Sequence, residues 1–510
     1  MSSPAALFPD WLAFRAATSP HRCALVAGDG EWTFAELDTA VTRAARQLAA
    51  LGVQPGDRIV TLLHNGPAAA MLPHAALRLG ATLVPLNVRL ADAELSWQIG
   101  DAAPRLLVAE ERTVARAEQA HLRHPALVIA RVDRTGLVCA HADGMVDEKS
   151  NASLRLSHDA DAVLAIIYTS GTTGQPKGAM LTVGNFWWSA MGSALNLGTH
   201  DDDRWLACLP LFHIGGLSIV LRSAIYGITV VVHDEFDANA VNAAIDGGGV
   251  TMVSVVAVML QRMLDARHDR PVPRTLRCVL LGGGPSPEPL LRRCAALGIP
   301  VVQTYGLTEA CSQVATLAPE EAQQRIGSAG RALYPNELRI AVAADDAARN
   351  DCVGEILVRG PIVMAGYAGQ PEATARAIVD GWLHTGDVGR LDADRYLYVL
   401  DRRDDLIVTG GENVYPAEVE AVLLAHPSVA EVGVVGVADE TWGQRVVAVA
   451  RVVEAEDAAV DAAALEAFCR PRLAGYKVPR DIRLVTEPLP RTASGKLRRA
   501  ALRELLAVSH

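Results

Sequence analysis

A run of hydroxyl groups and glycines follows an apolar, strand-like segment that ends at Thr169. The residues of this run that could contact a ligand are Thr169, Ser170, Gly171, Thr172, Thr173, Gly174 and Lys177. Glycines let the backbone approach a ligand closely, hydroxyls supply hydrogen-bond donors, and a lysine adds a point charge. This combination indicates a loop that binds a polyphosphate. It is not a Walker A loop, because Pro176 stands where the second glycine of that motif would be.

Further short motifs follow this loop along the chain. They are Leu209-Pro210-Leu211-Phe212-His213, Gly282-Gly283-Gly284-Pro285, Tyr305-Gly306-Leu307-Thr308-Glu309, Trp382-Leu383-His384-Thr385-Gly386-Asp387, Asp401-Arg402-Arg403-Asp404-Asp405 and Pro490-Arg491-Thr492-Ala493-Ser494-Gly495-Lys496. In this order the motifs resemble those of the adenylate-forming superfamily of acyl-CoA synthetases, peptide-synthetase adenylation domains and luciferases. The resemblance covers nearly the whole chain. It implies an acid–CoA ligase that forms an acyl-AMP from a carboxylic acid and ATP, then transfers the acyl group to coenzyme A.

The resemblance assigns the nucleoside of ATP to several of these motifs. The ring of Tyr305 would stack on adenine, and the glycine-rich strand end at residues 282–285 would leave room for the base and the acyl group. Asp387 would accept hydrogen bonds from both ribose hydroxyls, and Arg402 would donate to the sugar or its phosphate. The other positions implied at the nucleotide are Gly283, Gly284, Pro285 and Gly306.

The resemblance places three side chains at the reacting phosphate and its metal ion. The Thr308 hydroxyl suits an α-phosphate oxygen, and Glu309 is a hard oxygen ligand for a Mg²⁺ ion bound by the pyrophosphate. Lys496 lies on a Ser-Gly loop, and the matching lysine of the family reaches the reacting carboxylate and the α-phosphate. These residues, together with His213, are the predicted catalytic residues, and Glu309 is the predicted metal ligand.

Other residues are assigned to the acyl group and to coenzyme A. In the family the position of His213 borders the acyl tunnel and gates the entry of CoA, and Gly282 lies beside the acyl group. The C-terminal domain would rotate about a hinge at Asp404 between the two half-reactions. Gly410 and Gly411 would then face the active site and leave width for the slim pantetheine arm.

A polar stripe beside His213 bears on the choice of acid. If residues 215–224 form a helix, Gly215, Ser218 and Arg222 fall on one face of it. A buried polar stripe beside an acyl pocket suits a substrate that carries a second carboxylate. Several stretches, including residues 216–227, 253–256 and 312–330, also resemble one branch of the family, whose aromatic acid substrate has two carboxylates. A helix-surface arginine with a structural partner is the alternative interpretation of Arg222.

Four other functions remain open from the sequence. A medium- or long-chain fatty acyl–CoA ligase or an aryl-acid–CoA ligase would share all the ATP motifs. An adenylation enzyme that loads a carrier protein would share the first step, although no carrier domain is seen before His510. A luciferase-like oxidase is not separated from a ligase by these motifs. A non-catalytic relative is disfavoured, because it would be expected to lack Lys496 or Glu309, and both are present.

Helical and strand-like segments alternate along the chain, and they must hold these motifs in place. Residues 34–51 have the apolar period of a helix, residues 58–63 form a β-branched run, and residues 68–79 again have a helical pattern. This rhythm predicts an α/β protein with a large N-terminal domain of β-sheets layered with helices. A small, mobile α+β C-terminal domain is predicted after the charged cluster at residues 401–405. The predicted domains are residues 1–403 and residues 404–510.

Composition limits the partners and the compartment. The chain of 510 residues has 47 Lys and Arg against 58 Asp and Glu, a net charge of -11, so nucleic acid is not an expected partner. Eight cysteines contain no C-x-x-C pair and the N-terminus does not have the pattern of a signal peptide, which favours the cytoplasm. The apolar run at residues 217–232 is short and interrupted by Arg222, so buried core is predicted there and no membrane span. A homodimer is a further expectation.

Overall fold

The computed structural model describes most of the chain. The described residues are 6–133, 138–140, 144–145, 152–169, 175–268, 270–284, 288–341, 352–402, 407–452, 460–490, 497 and 499–507, with backbone alone at 138–140, 144–145, 288–289, 400–402, 417, 500 and 507. Several predicted site residues fall outside this description: Ser170, Gly171, Thr172, Thr173, Gly174, Pro285, Asp404, Lys496 and the side chain of Arg402. Their roles stay predictions, as does the domain boundary between residues 403 and 404.

Two nine-stranded sheets lie within the described ranges. In spatial order the first contains Gly366–Tyr367, Lys177–Thr182, Val163–Thr169, Thr82–Pro85, Arg58–Leu62, Leu106–Ala109, Val128–Val132, Val138–Ala140 and Gly144–Met145. The second contains Arg331–Ala332, Ser312–Thr316, Val301–Leu307, Cys278–Leu281, Met252–Val255, Arg204–Ala207, Thr229–Val232, Cys23–Ala27 and Gly30–Thr33. The central strands of both sheets are parallel. Strands such as Leu106–Ala109 are buried throughout, as expected where helices cover both faces of a parallel sheet.

Three smaller sheets complete the described strands. A two-stranded sheet pairs Leu7–Pro9 with Ser157–Asp159. A five-stranded sheet contains Glu337–Ala341, Gly354–Arg359, Trp382–Leu391, Ile378–Val379 and Leu397–Arg402. A second five-stranded sheet contains Glu412–Val414, Ile407–Thr409, Gly443–Val452, Val429–Asp439 and Asp481–Val485. In this last sheet Val429–Asp439 and Gly443–Val452 form an antiparallel pair, and Asp481–Val485 joins in parallel. The mixed pairing is that of an α+β sheet.

Helices connect these strands. The α-helices of the described ranges are Trp11–Thr18, Phe34–Ala50, Pro67–Leu79, Asp92–Ala102, Val114–Arg123, Val183–Leu197, Ile214–Tyr226, Ala238–Gly247, Ala257–Arg267, Glu288–Ala296, Pro371–Ala377, Pro416–Leu424, Ala462–Cys469 and Arg499–Ala507. Short 3₁₀ turns occupy Thr308–Ala310 and Pro319–Glu321. Among the helices that the structure describes, none combines the length and the apolar composition that crossing a bilayer requires.

The predicted α/β class is confirmed, and local sequence explains where the elements begin. The helix predicted at residues 34–51 is Phe34–Ala50, and it starts at a capping box. Thr33 Oγ1 accepts from the Glu36 amide at 3.3 Å, and Glu36 Oε2 accepts from the Thr33 amide at 2.8 Å. The strand and the helix predicted after it are Arg58–Leu62 and Pro67–Leu79. The apolar run at residues 217–232 is buried core, as predicted.

The residues group into two compact units. The first contains Met1–Val88, Ile99–Ile167 and Gly178–Leu400, and the second contains Arg89–Gln98, Tyr168–Lys177 and Asp401–His510. The apolar core of the second unit is formed by the Val429–Asp439 and Gly443–Val452 strands with the helices Pro416–Leu424 and Ala462–Cys469. Each unit thus has a core of its own.

A buried charge cluster ties three helices of the first unit together. Arg78, which is 1% exposed, donates from Nη2 to Asp10 Oδ1 at 2.9 Å and also pairs with Asp38. Asp10 caps the helix Trp11–Thr18 and lies 3.3 Å from His158 Nε2. Burial alone would raise the pKa of Asp10, but the bonds from His158 and Arg78 outweigh it and hold that pKa well below its ordinary value.

Because the native pKa of Asp10 is lowered, its carboxylate stabilises the fold above the unfolded pKa of about 3.9, and this contribution is lost as the pH falls further. We expect Asp10→Asn to lower the free energy of unfolding by about 2 kcal/mol at pH 7, and by clearly less at pH 3. Urea unfolding followed by tryptophan fluorescence measures both values. Asp201→Asn, at a side chain that is 92% exposed, is the control and should change neither. A difference for Asp10→Asn that stays constant down to pH 3 would contradict the assignment.

Candidate functional site

Tyr305 and Asp387 are brought together from distant parts of the first unit. Tyr305 lies on the strand Val301–Leu307 and is 5% exposed, and its hydroxyl donates to Asp387 Oδ2 at 2.7 Å. A carboxylate has about four acceptor positions, so this bond orients Asp387 without saturating it. The predicted partners of adenine and ribose are therefore neighbours, although 82 residues separate them in sequence.

Glu355 fixes the backbone around Asp387. Its Oε1 accepts from the Gly386 amide at 2.8 Å, and its Oε2 lies 3.0 Å from His384 Nδ1. The Asp387 amide donates to Thr385 Oγ1 at 3.0 Å. Gly386 has a φ of 74°, a left-handed conformation that favours glycine. This motif is thus held by a carboxylate on the neighbouring strand Gly354–Arg359.

The glycines at 282–284 follow the strand Cys278–Leu281, and close neighbours explain why side chains are absent there. A Cβ on Gly282 would lie 2.8 Å from Thr304 Cγ2, and one on Gly283 would lie 3.0 Å from Val256 Cγ1. Gly283 also has a φ of 79°. The structure therefore keeps this strand end free of side chains, as a site for a flat base and an acyl group requires.

Thr308 and Glu309 form a 3₁₀ turn that is held from two sides. Glu309 Oε1 accepts from the Tyr367 hydroxyl at 3.0 Å, and the Glu309 carbonyl accepts from the Met364 amide at 2.9 Å. The turn leads into Cys311 and Ser312, which have φ values of 47° and 86°. Non-glycine residues in this region cost about 1–3 kcal/mol each and persist only where the surroundings enforce them. The turn is therefore a rigid, enforced element.

The two ends of the predicted phosphate loop lie on adjacent strands. Thr169 ends the strand Val163–Thr169, and Lys177 begins the strand Lys177–Thr182. These strands are neighbours in the first sheet. The predicted CoA residues Gly410 and Gly411 form the tight connection between Ile407–Thr409 and Glu412–Val414, with φ values of 57° and 84°. Both glycines need their conformational freedom, because an L side chain would be strained there.

His213 lies at the N-cap position of the helix Ile214–Tyr226, so residues 215–224 are helical, which is the condition for the polar stripe. Its ring packs edge-on against Phe212, with 4.8 Å between ring centres. A Cβ on Gly216 would lie 2.4 Å from the Pro210 carbonyl oxygen, so glycine is required for the loop to fold back onto the helix. The Ser218 hydroxyl donates to the Ile214 carbonyl of the preceding turn.

Arg222 lies on this helix and is 2% exposed, so it is not a helix-surface arginine. Its Nη2 donates to Ser189 Oγ at 3.0 Å, and its guanidinium carbon lies 5.8 Å from the centre of the Trp205 ring. Its Nε is buried without a partner, and no carboxylate of the described residues pairs with it. Burial lowers the pKa of Arg222. A buried guanidinium without a counter-ion is costly, which suggests that an anion completes this site.

The donor set fits a magnesium ion that is bound mainly by its substrate. Among the described residues no cluster of three or more His, Cys, Asp or Glu side chains could hold a metal by itself. Mg²⁺ commonly binds through one or two carboxylates together with phosphate oxygens and water. Glu309, on a turn beside the predicted nucleotide residues, would supply one such carboxylate. The ion would neutralise charge on the phosphates.

The family assignment follows from comparison with known proteins. A sequence profile described as AMP-binding enzyme matches residues 12–368. The chain belongs to the AMP-binding enzyme family. A second profile, the AMP-binding enzyme C-terminal domain, matches residues 418–496. The predicted membership of the adenylate-forming superfamily is thereby confirmed.

Individual relatives of this AMP-binding enzyme match over their full length. It is 50% identical over 498 residues to the 2-succinylbenzoate–CoA ligase of Geobacillus kaustophilus strain HTA426, with 98% of each chain covered. A double mutant of the o-succinylbenzoate CoA synthetase of Bacillus subtilis, bound with its product analogue OSB-NCoA, has 41% identity and a TM-score of 0.89, with 98% of this chain and 99% of that chain covered. The same Bacillus enzyme in complex with ATP and magnesium ion has 41% identity and a TM-score of 0.73, with 98% and 100% covered.

Replacing Glu309 tests its predicted role as a metal ligand. We expect Glu309→Gln, which keeps the shape of the side chain but removes its charge, to raise the Mg²⁺ concentration for half-maximal pyrophosphate release about 10-fold. A magnesium titration at saturating ATP and acid measures this shift. Glu321→Gln is the control, since Glu321 lies in another 3₁₀ turn. An unchanged magnesium requirement in Glu309→Gln would rule out Glu309 as a ligand.

Some residues that contact the predicted site residues or their loops were not found from the sequence. They are Asn65, Ser189, Glu355 and Tyr367. Asn65, for example, donates to the carbonyls of Leu209 and His233, both at 3.0 Å, and accepts from the Leu211 amide at 2.8 Å, so it holds the loop before His213. None of these residues lies in a motif of its own. Their partners are far away in sequence, and no local pattern could have revealed them.

Proposed function

We propose that this protein is an ATP-dependent 2-succinylbenzoate–CoA ligase of menaquinone biosynthesis, which is the branch indicated by the sequence. The protein activates its acid as an acyl-AMP and then forms the acyl-CoA thioester. Full-length relatives with this name support the proposal, at up to 50% identity over 98% of the chain. The reaction has three substrates, which are ATP, coenzyme A and the acid, and it requires Mg²⁺.

Buried Arg222 is the observation that carries the choice of acid. Its guanidinium has a serine hydroxyl and an aromatic face beside it, but no described carboxylate. An acid with two carboxylates can react through one of them and neutralise Arg222 with the other, in a bidentate bond that a fatty acid cannot make. His213 begins the same helix, so the acyl tunnel and the arginine share one element.

The first half-reaction joins two anions, so we assign its acceleration to positioning and charge neutralisation. A carboxylate oxygen attacks the α-phosphorus in line. The bond from that phosphorus to the bridging oxygen breaks, and pyrophosphate leaves with the electron pair. Asp387 and Tyr305 hold the nucleoside, Thr308 binds the α-phosphate, and Lys496 neutralises the approaching oxygens. No protein nucleophile takes part.

The second half-reaction transfers the acyl group to sulfur. The thiolate of coenzyme A attacks the acyl carbon of the mixed anhydride, AMP leaves, and the thioester forms. We propose that Lys496 withdraws when the C-terminal domain rotates about Asp404, and that Gly410 and Gly411 then line the path of the pantetheine arm. Glycines suit such a path because they leave width for a slender chain.

Pyrophosphate release with a panel of acids tests the proposed function. The panel contains 2-succinylbenzoate, simple aryl acids and fatty acids of graded length, each with and without coenzyme A. We expect 2-succinylbenzoate to give the highest kcat/KM and to yield a thioester only when coenzyme A is present. A preference for long alkyl chains would support a fatty acyl–CoA ligase instead. Transfer to a carrier protein in preference to free coenzyme A would support a loading enzyme.

Two further features belong to this proposal. We propose that the enzyme acts in the cytoplasm, because a free thiol substrate and cysteines without a paired pattern suit a reducing compartment. We also propose that it forms a homodimer. Light scattering of the purified protein measures its oligomeric state directly, and a mass of one chain at micromolar concentration would contradict the homodimer.

A further inference from the structure

A single serine hydroxyl lies between the acid site and the turn that bears Thr308 and Glu309. Ser189, on the helix Val183–Leu197, is 2% exposed. Its Oγ donates to the Cys311 carbonyl at 2.6 Å and accepts from Arg222 Nη2 at 3.0 Å. A hydroxyl has one donor and two acceptor positions, so both bonds can exist together. The result is a continuous chain from Arg222 through Ser189 to Cys311.

This series of hydrogen bonds ends at the Thr308–Ala310 turn described above. Cys311 is 0% exposed and adopts the left-handed conformation, and its amide donates to the Thr308 carbonyl at 3.0 Å. A Cβ on Gly306 would lie 1.7 Å from the Ser312 carbonyl oxygen, so the strands that enter and leave the turn are packed tightly against each other. The Ser189 hydroxyl is a side-chain bond that holds the Cys311 carbonyl in this conformation. It therefore helps to set the positions of Thr308 and Glu309.

The near end of this series of hydrogen bonds is Arg222, where an acid with a second carboxylate would bind. Without a counter-ion, Arg222 directs one donor to Ser189 and leaves Nε without a partner. A carboxylate that pairs with the guanidinium changes the charge felt by Ser189, and hydrogen bonds in a chain polarise one another. Because a coupling between two sites is a difference in free energy, an acid that pairs with Arg222 can favour one arrangement of the turn.

We propose that Ser189 is a positioning residue that couples recognition of the acid's second carboxylate at Arg222 to the Thr308–Glu309 turn. This inference rests on the proposed function, because it needs a substrate with two carboxylates. Its consequence is that the second carboxylate contributes to turnover in adenylation as well as to binding. An acid without that carboxylate would bind and react, but with the turn less well set.

Turnover and KM for two kinds of acid separate this coupling from a purely structural role. Pyrophosphate release is measured with 2-succinylbenzoate and with two monoacids, 4-oxo-4-phenylbutanoate and 2-butanoylbenzoate, each of which keeps one of the two carboxylates. In Ser189→Ala we expect kcat for the diacid to fall about 10-fold, with KM for the diacid changed less than 3-fold. For the better monoacid, kcat should change less than 3-fold. A structural role would lower kcat for both acids by the same factor.

Matched variants keep the test decisive. Ser189→Cys retains the volume and a weak donor, so it should restore part of the kcat for the diacid. Ser223→Ala removes another buried hydroxyl, which donates to the Ile228 carbonyl at 2.5 Å and does not touch the turn, so it should leave the ratio of the two kcat values unchanged. Equal losses for both acids in Ser189→Ala, or the same change of ratio in Ser223→Ala, would overturn the coupling. If the unaltered enzyme does not adenylate the diacid, the proposed function itself fails.

Discussion

Lys496→Ala should slow pyrophosphate release with the acid by about 10²–10³-fold and leave thioester formation from supplied acyl-AMP within 3-fold of the unaltered enzyme. The reason is that a cation aimed at the reacting oxygens stabilises charge that develops only during adenylation, and loss of one such group typically has an effect of this size. Single-turnover assays of each half-reaction measure the two rates separately.

Asp404→Pro is the matched variant with the opposite expectation. Proline restricts the backbone at the predicted hinge, so thioester formation from supplied acyl-AMP should fall while adenylation is retained. Lys496→Arg serves as the charge control, because it keeps the cation but alters its shape. Equal loss of both half-reactions in Lys496→Ala and in Asp404→Pro would show that the two half-reactions do not use different arrangements of the C-terminal domain.

Arg222→Met should lower kcat/KM for 2-succinylbenzoate by about 10²-fold and remove the preference for this diacid over its better monoacid. Removing one member of a buried, hydrogen-bonded charge pair costs about 2–5 kcal/mol, which corresponds to about 30- to 5,000-fold, and the expected loss lies within this range. The stability of the ligand-free protein, in contrast to its activity, should not fall. Since Arg222 has no described counter-ion, methionine of similar volume should leave the melting temperature unchanged or raise it.

A second buried arginine provides the control for this variant. Arg267 is also 2% exposed, but its Nη2 donates to Asp246 Oδ1 at 2.7 Å and to the Pro271 carbonyl at 2.6 Å. We expect Arg267→Met to lower the melting temperature and to keep the preference for the diacid. Calorimetry and initial rates of pyrophosphate release compare the two variants. A melting temperature that falls equally in both would indicate that Arg222 is a structural arginine.

Arg222 and Arg267 differ in how their charges affect the stability and the activity of the protein. A buried charge that waits for its substrate lowers the stability of the free enzyme, and pairing with the bound substrate removes this cost. Arg267 has its counter-ion within the fold, and Arg222 has none among the described residues. The same side chain at the same burial is therefore a structural element at Arg267, whereas at Arg222 we propose a recognition element.

The sequence by itself determined the chemistry of this protein. Each predicted nucleotide motif is contiguous, because a turn or a strand end that approaches a ligand is built from neighbouring residues with special backbone needs. Gly283 and Gly386, with φ values of 79° and 74°, illustrate this requirement. The periodic pattern also located the helices Phe34–Ala50 and Pro67–Leu79, since burial on one face repeats with the helical period.

Only the tertiary structure decided which distant side chains meet. Tyr305 and Asp387 are 82 residues apart, and Ser189 and Cys311 are 122 residues apart, so no local period relates the members of either pair. The sequence left Arg222 open between a surface position and a substrate site. Its burial excludes the surface position, and its lack of a described carboxylate supports the proposed substrate site; both depend on what other segments pack against the helix. Local patterns encode conformation, whereas charge balance in the interior is a property of the whole packed fold.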